Sequence, residues 1–269
     1  MAKLGIAGGG AMGSALLKGI INHGLIPAAD IYIAEIDSLK REKLTAEYHI
    51  QAVGNMAEVV HECDTIILAV KPQMMAGLLK GLAGGIEHKP LLISIAAGVS
   101  LASLESQLPN GRFVRVMPNT PARIGKGVAV ISSGHNITKE DLQWVEEIFG
   151  CIGKVLVLPE NYLDAVTAVS GSGPAYIYYF IEAMVDAGVM LGLSRADALV
   201  LVTETVLGSA ELLKETGEDP RRLRNEVTSP GGTTAAALFE LEQGACAGMI
   251  MKAIAAAAQK SGELGRSNR

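Results

Sequence analysis

The chain has 269 residues, a net charge of −5 and a sequence pI of about 5.6. That length supports one large or two ordinary domains with real cores, and the acidic balance argues against a general nucleic-acid binder. Hydrophobic residues make up 49%, yet no stretch reaches about eighteen uninterrupted apolar residues, so no membrane span is expected.

The start at Met1 runs straight into a strand pattern and carries no signal-peptide cleavage site. Cys63, Cys151 and Cys246 are far apart and show no metal-ligand spacing; they read as buried thiols in a reducing cytoplasm. The five histidines are equally scattered, none beside a candidate nucleophile.

Residues 3–7 read as a short buried strand. They feed Gly8-Gly9-Gly10-Ala11-Met12-Gly13, where Gly8, Gly10 and Gly13 fit G-x-G-x-x-G, and a helix over 11–23 follows with Gly24 placed to end it. In that pattern one glycine makes a tight turn, one admits a pyrophosphate close to the backbone, and one packs the helix on the strand. A second strand over 31–35 completes the context for a dinucleotide site. Glu35 stands 22 residues after Gly13, where an acidic side chain commonly binds the adenosine ribose hydroxyls of NAD; Asp37 is a nearby competitor. A carboxylate there repels the 2′-phosphate of NADP, although Lys40 and Arg41 could compensate. The alternative is that Glu35 only caps the helix beginning near Ser38.

A helix over 38–48, a short strand and a helix over 55–62 precede Thr65-Ile66-Ile67-Leu68-Ala69-Val70, a run suited to a parallel strand covered on both faces. It ends in Lys71-Pro72. Ends of such strands face the ligand crevice, which makes Lys71 a candidate site residue. The strand over 91–95 runs into Ala96-Ala97-Gly98, small enough for a cofactor ring to approach the backbone. Then come a helix over 101–108 and a strand over 113–117, whose exit Met117-Pro118-Asn119-Thr120-Pro121 is stiffened by two prolines. A strand over 128–132, an amphipathic helix over 139–149 and a strand over 155–158 close the sheet.

Beyond Pro159 only helical segments follow: 162–169, 175–191, 195–216, 220–226, 233–242 and 245–264. Alternating strands and helices followed by helices alone predict two domains, 1–159 and 160–269. Ser170-Gly171-Ser172-Gly173-Pro174-Ala175-Tyr176 reads as a small-residue turn into a helix. The helices from Ala175 and Arg195 are apolar around much of their circumference, as at an oligomer interface. Val227-Thr228-Ser229-Pro230-Gly231-Gly232-Thr233-Thr234 reads as a helix start, with Ser229 as N-cap and Pro230 at the first helical position. Gly231 and Gly232 would then leave bare amides in the first turn, favourable to an anion such as a carboxylate. An ordinary loop before an N-cap is the plain alternative.

Together these segments resemble pyrroline-5-carboxylate reductase, over essentially the whole chain. The most specific likeness is the spacing of Leu223, Val227, Thr228, Ser229, Gly231, Gly232, Thr234, Ala237, Leu238, Leu241 and Glu242; Ala69-Val70-Lys71-Pro72, Ala96-Ala97-Gly98, Met117-Pro118-Asn119-Thr120-Pro121, Asp164-Ala165-Val166-Thr167 and the Ser170–Tyr176 segment also look like family motifs. The resemblance implies an α/β fold: a Rossmann-type dinucleotide-binding domain, then an all-α dimerisation domain similar to the C-terminal domain of 6-phosphogluconate dehydrogenase. It implies hydride transfer from NADPH or NADH to the C=N carbon of 1-pyrroline-5-carboxylate, giving L-proline in the last step of proline biosynthesis. Gly8, Gly10, Ala11, Met12, Gly13, Glu35, Asn55, Ala69, Val70, Lys71, Pro72, Ala96 and Ala97 would surround the cofactor. Ser229, Gly231, Gly232 and Thr233 would hold the substrate carboxylate, with the Thr234 hydroxyl near the ring nitrogen as the catalytic group. An interleaved homodimer, often assembled further, is implied, and no metal. Several family members carry a small hydroxyl or a basic residue where Glu35 stands, so their usual NADPH preference does not transfer. A reductase of β-hydroxy acids is the runner-up, yet the helix over 175–191 lacks the lysine such enzymes show there. A non-catalytic NAD(P) sensor is a third reading.

Overall fold

The structure is a computed structural model that describes residues 3–86 and 88–267. Met1 and the outer bound of the second predicted domain, at 269, lie outside the described residues. The elements in order are β1 (Leu4–Ala7), α1 (Ala11–Asn22), β2 (Ile31–Ala34), α2 (Ser38–Tyr48), β3 (Gln51–Val53), α3 (Met56–Glu62), β4 (Thr65–Leu68), α4 (Met75–Leu82), β5 (Leu91–Ser94), α5 (Leu101–Gln107), β6 (Arg112–Pro118), β7 (Gly127–Ser133), α6 (Lys139–Gly150) and β8 (Gly153–Val157). Then follow α7 (Leu163–Val166), α8 (Gly173–Met190), α9 (Arg195–Thr216), α10 (Pro220–Glu226), α11 (Thr233–Gln243) and α12 (Cys246–Ser267).

The strands form one sheet in the order β3-β2-β1-β4-β5-β6-β7-β8. β1 lies between β2 and β4, so the chain switches direction there, and the crevice beyond the carboxyl end of β1 is where this architecture binds ligands. The central strands β1, β4 and β5 are short and buried on both faces because their residues alternate between two cores. Ile67, Leu91 and Ile93 pack with Leu16, Leu17 and Ile20 of α1 and Ile148 and Phe149 of α6. Ile66, Leu68 and Leu92 face the other way, against Val59, Leu79 and Leu104 of α3, α4 and α5. Each such side chain contributes about 1.5–3 kcal/mol on burial.

β7 runs antiparallel to β6, whereas the other pairs are parallel. The cause is length. Residues 119–126 between them hold only one 3-10 turn, too short for the crossover a parallel pair requires.

Packing divides the chain into two units, Met1–Ser172 with Ala257–Arg269, and Gly173–Ala256. The short helical segment after Pro159 and the last turns of α12 thus pack with the sheet. In the second unit, Val185, Ala198 and Val202 are the buried apolar side chains among the described residues. α8 and α9 meet closely at Gly188, where a Cβ would lie 3.0 Å from that of Ala198. Around that small core Tyr179, Met190 and Leu191 are 71%, 88% and 85% exposed.

Two segments differ from expectation, one read as a turn and one as a helix start. The Ser170–Tyr176 stretch is no turn: Thr167–Gly171 is a π-helical turn, closed by the Ser172 amide on the Thr167 carbonyl at 2.8 Å, and α8 follows it directly. Small residues tolerate this underwound backbone, which propensity alone does not announce. The second concerns Ser229 and is described with its site.

Candidate functional site

Each glycine of the first loop has a different cause. Gly8 has φ +108, and a Cβ there would stand 2.7 Å from the Ala69 carbonyl oxygen. At Gly13 a Cβ would stand 2.1 Å from the Gly8 carbonyl oxygen. Those two are demanded by the fold. Gly10 has nothing within 4 Å of a Cβ position, so nothing in the chain itself explains it. It is the exposed N-cap of α1, and no side chain caps that helix. Ala11, Met12 and Gly13 make its first turn, so an uncapped positive helix end faces open space, which fits a pyrophosphate.

Glu35, just past β2, is buried. Its Oε2 accepts the Gly9 amide at 3.1 Å and its Oε1 accepts the Asp37 amide at 3.0 Å. Each carboxylate oxygen keeps acceptor capacity beyond that one bond. Asp37, not Glu35, caps α2, its Oδ1 accepting the amides of Leu39 and Lys40 at 3.0 and 3.2 Å. The capping alternative for Glu35 is therefore set aside. Arg41 turns back: its Nη1 donates to the carbonyls of Glu35 and Ile36 at 2.8 and 3.0 Å. Asn55 caps α3, accepting the Glu58 amide at 3.3 Å, and its side chain is exposed at the end of the loop after β3.

Ala69 and Val70 leave β4 half-buried, and Lys71 is exposed ahead of the 3-10 turn that Pro72 begins. Ala96 is buried and Ala97 half-buried where β5 ends, and Gly98 follows with φ +72. These loops lie at the carboxyl ends of β1, β4 and β5, where the Gly8 amide donates to the Ala34 carbonyl and the Ala69 amide to the Ala7 carbonyl, each at 2.9 Å. Asn119 serves the fold instead. Its Oδ1 accepts the Val128 amide at 2.9 Å and its Nδ2 donates to the Ser170 carbonyl at 3.3 Å, joining the β6 exit to the π-turn.

In the second unit, Ser229 is not the N-cap of a helix. Ser229-Pro230-Gly231-Gly232 is a turn, the Gly232 amide donating to the Ser229 carbonyl at 3.0 Å. Proline at the second position and Gly231 with φ +67 at the third are the requirements of a type II turn, so the helix start expected at Ser229 gives way to the alternative of a loop before the N-cap. α11 starts at Thr233 with Gly232 as N-cap, and no side chain caps it. A Cβ at 232 would stand 2.3 Å from Ser229 Oγ, so a larger residue there would make the serine side chain turn away. The contrast with other helices is informative. Asp37, Asn55, Ser100, Thr138, Ser194 and Asp219 cap α2, α3, α5, α6, α9 and α10 by side chain. α1 and α11 begin instead at bare glycines. Thr233 is exposed and Thr234 half-buried, and the Thr234 hydroxyl makes no hydrogen bond among the described residues. The neighbouring Thr228 is committed, its Oγ1 donating to the Arg224 carbonyl at 2.6 Å.

Sequence reasoning missed Tyr176, whose Oη is buried without a hydrogen-bond partner among the described residues. Two of the three thiols are buried and inert: burial pushes Cys63 up to about 12 and likewise raises Cys151, whereas Cys246 is half-buried rather than buried as expected. Among the described residues no group of His, Cys, Asp and Glu could hold a metal ion, and no helix is long and apolar enough to cross a membrane.

Residues 160–264 match the family described as pyrroline-5-carboxylate reductase dimerisation, and residues 3–98 match NADP oxidoreductase, coenzyme F420-dependent. A pyrroline-5-carboxylate reductase of Synechocystis sp. is 42% identical over 264 residues, 98% of each chain. One of Glycine max is 41% identical over 261 residues, 97% of this chain and 95% of the relative. Among solved structures, Plasmodium falciparum pyrroline carboxylate reductase with NADP bound superposes with a TM-score of 0.89 at 35% identity, over 98% of both chains.

Proposed function

The chain belongs to the pyrroline-5-carboxylate reductase family, and from that premise we propose how its residues carry the reaction. It is an NAD(P)-dependent oxidoreductase that reduces the C=N bond of 1-pyrroline-5-carboxylate to give L-proline. NADPH or NADH supplies the hydride when bound. The protein's own part is to bind and orient, because a cyclic imine is basic enough to be protonated near neutral pH and its carbon is then already electrophilic.

Residues 1–159 are the dinucleotide-binding domain and 160–269 the substrate and dimerisation domain. The α1 amides take the pyrophosphate at Gly8, Gly10, Ala11, Met12 and Gly13, and Glu35 takes the ribose hydroxyls. Asn55, Ala69, Val70, Lys71, Pro72, Ala96 and Ala97 line the rest of the cofactor's path. Ser229, Gly231, Gly232 and Thr233 hold the substrate carboxylate, and Thr234 donates to the ring nitrogen or positions water for it. The observation that carries this reading is the bare glycine start of α11. In a chain of charge −5 an anion needs local donors, and no side chain caps this terminus, although the Gly232 amide is itself committed to the Ser229 carbonyl.

The helical domain forms a homodimer in the cytoplasm. Three buried apolar side chains are a meagre core for helices that expose Tyr179, Met190 and Leu191, and a second copy would cover that surface. Sedimentation at the mass of a single chain would remove the dimer. The activity is tested by pyrroline-5-carboxylate-dependent oxidation of NADH and of NADPH by the purified protein; no turnover with either would sink the proposal.

A further inference from the structure

We propose that the C-terminal end of α12 positions the cofactor loop Ala96-Ala97-Gly98, with Ser261 as the positioning residue. The inference rests on the proposed cofactor role of Ala96 and Ala97. It concerns only groups within the sheet-bearing unit, to which residues 257–267 belong.

Three contacts converge there. Ser261 is 5% exposed, and its Oγ donates to Asp164 Oδ1 of α7 at 2.6 Å, across 97 residues of sequence. One turn further on, α12 lies against the loop: a Cβ on Gly98 would stand 3.3 Å from the Leu264 Cβ and 3.4 Å from the Gly265 amide nitrogen. The approach is reciprocal, since a Cβ on Gly265 would stand 3.4 Å from the Gly98 carbonyl oxygen. Two glycines thus let a helix and a loop meet backbone to backbone. The other end of the same connection is tied as well. Glu160, in the 3-10 turn just before α7, accepts the Leu101 amide at 2.7 Å and the buried Arg115 guanidinium at 2.9 Å through one oxygen, Oε1.

The loop is therefore fixed at Leu101 by Glu160 and at Gly98 by α12. What fixes α12 in register is the Ser261–Asp164 bond, a neutral donor on a charged acceptor and so one of the stronger kinds. Ala96 is packed into the core, but the half-buried Ala97 beside it has little packing of its own to hold the loop. The brace supplies what Ala96 and Ala97 cannot: a single backbone position against which a cofactor binds without first being ordered.

The test is Ser261→Ala in the full chain, with Asp164→Asn as the conservative companion, because a carboxamide oxygen still accepts the hydroxyl. NADH and NADPH dissociation constants are read by fluorescence titration, beside kcat, the KM for pyrroline-5-carboxylate and the thermal midpoint. The expected result is a rise of about five- to twentyfold in the Kd of both cofactors for Ser261→Ala, the scale of one lost charged hydrogen bond, with substrate KM within about twofold and Asp164→Asn restoring most of the affinity. If Ser261→Ala does not fold, Ser261→Cys keeps the volume with a weak donor and is expected to raise Kd to a smaller extent. Cofactor Kd within about twofold of wild type in the folded variant overturns the inference, and so does an equal rise in cofactor Kd and substrate KM, which marks general loosening. A wild-type protein that binds neither cofactor would instead sink the functional proposal itself.

Discussion

The Glu35 carboxylate accepts the Gly9 amide at 3.1 Å, tying the end of β2 to the middle of the glycine-rich loop. One side chain therefore holds the loop and, in the proposed function, also faces the ribose. Glu35→Ser is too short to reach either amide that Glu35 now satisfies. It is expected to destabilise the fold by about 1–3 kcal/mol and to shift the kcat/KM ratio towards NADPH, since the charge that opposes a 2′-phosphate is gone. Denaturant unfolding measures the first and paired assays the second. A loss of stability with an unchanged cofactor ratio would reduce Glu35 to a loop anchor.

Gly10 and Gly13 separate fold from ligand. At Gly13 a methyl group cannot fit beside the Gly8 carbonyl, so Gly13→Ala is expected to cost about 2 kcal/mol or more in unfolding free energy. Gly10 has φ −70 and open space, so Gly10→Ala leaves stability within about 0.5 kcal/mol. Its cofactor Kd is expected to rise at least about tenfold, because the methyl would occupy the place proposed for the pyrophosphate. Equal effects of the two substitutions on stability, or cofactor binding untouched by Gly10→Ala, would refute this division.

The Thr234 hydroxyl, one residue into α11, makes no hydrogen bond among the described residues. Thr234→Ala is expected to lower kcat/KM for pyrroline-5-carboxylate by more than about threefold, with the thermal midpoint nearly unchanged. A value within threefold, under about 0.7 kcal/mol, would remove the residue from the chemistry.

Much of this was legible in the sequence because local signals and tertiary packing agree. The strand–glycine–helix opening, the apolar run over Thr65–Leu68 and the helices α9 and α10 fall where periodicity places them. The misreadings share a cause. At Ser229-Pro230 two structures use the same residues, since proline suits both a first helical position and the second position of a type II turn; only the φ of Gly231 decides. At Ser170-Gly171 the π-turn is fixed by Asn119, 51 residues away, which no local pattern reports. The Glu35–Gly9 bond is likewise a tertiary fact. The antiparallel direction of β7 was not among the expectations, although the segment after Pro118 is too short to cross over.

Asp141 makes stability depend on acid. Burial works to raise its pKa, but hydrogen bonds from Arg112 and Thr138 outweigh that and hold it below the usual aspartate value. A carboxyl lowered in the folded state contributes stability that is present above its unfolded pKa of about 3.9 and is lost as pH falls through the folded value. Asp141→Asn is therefore expected to cost about 1–2 kcal/mol at neutral pH, and the gap to wild type should narrow below about pH 4. A gap that stays constant into that range would show that the charge is not what matters.

The central claim is hydride transfer to the imine carbon, and isotope transfer tests it most directly. The protein is incubated with pyrroline-5-carboxylate and NADH or NADPH deuterated at the transferring position of the nicotinamide, and the proline formed is examined by mass and NMR. The account predicts one deuterium per proline, on the ring carbon that was doubly bonded to nitrogen. Proline carrying no label, or cofactor oxidised with no proline formed, would contradict it.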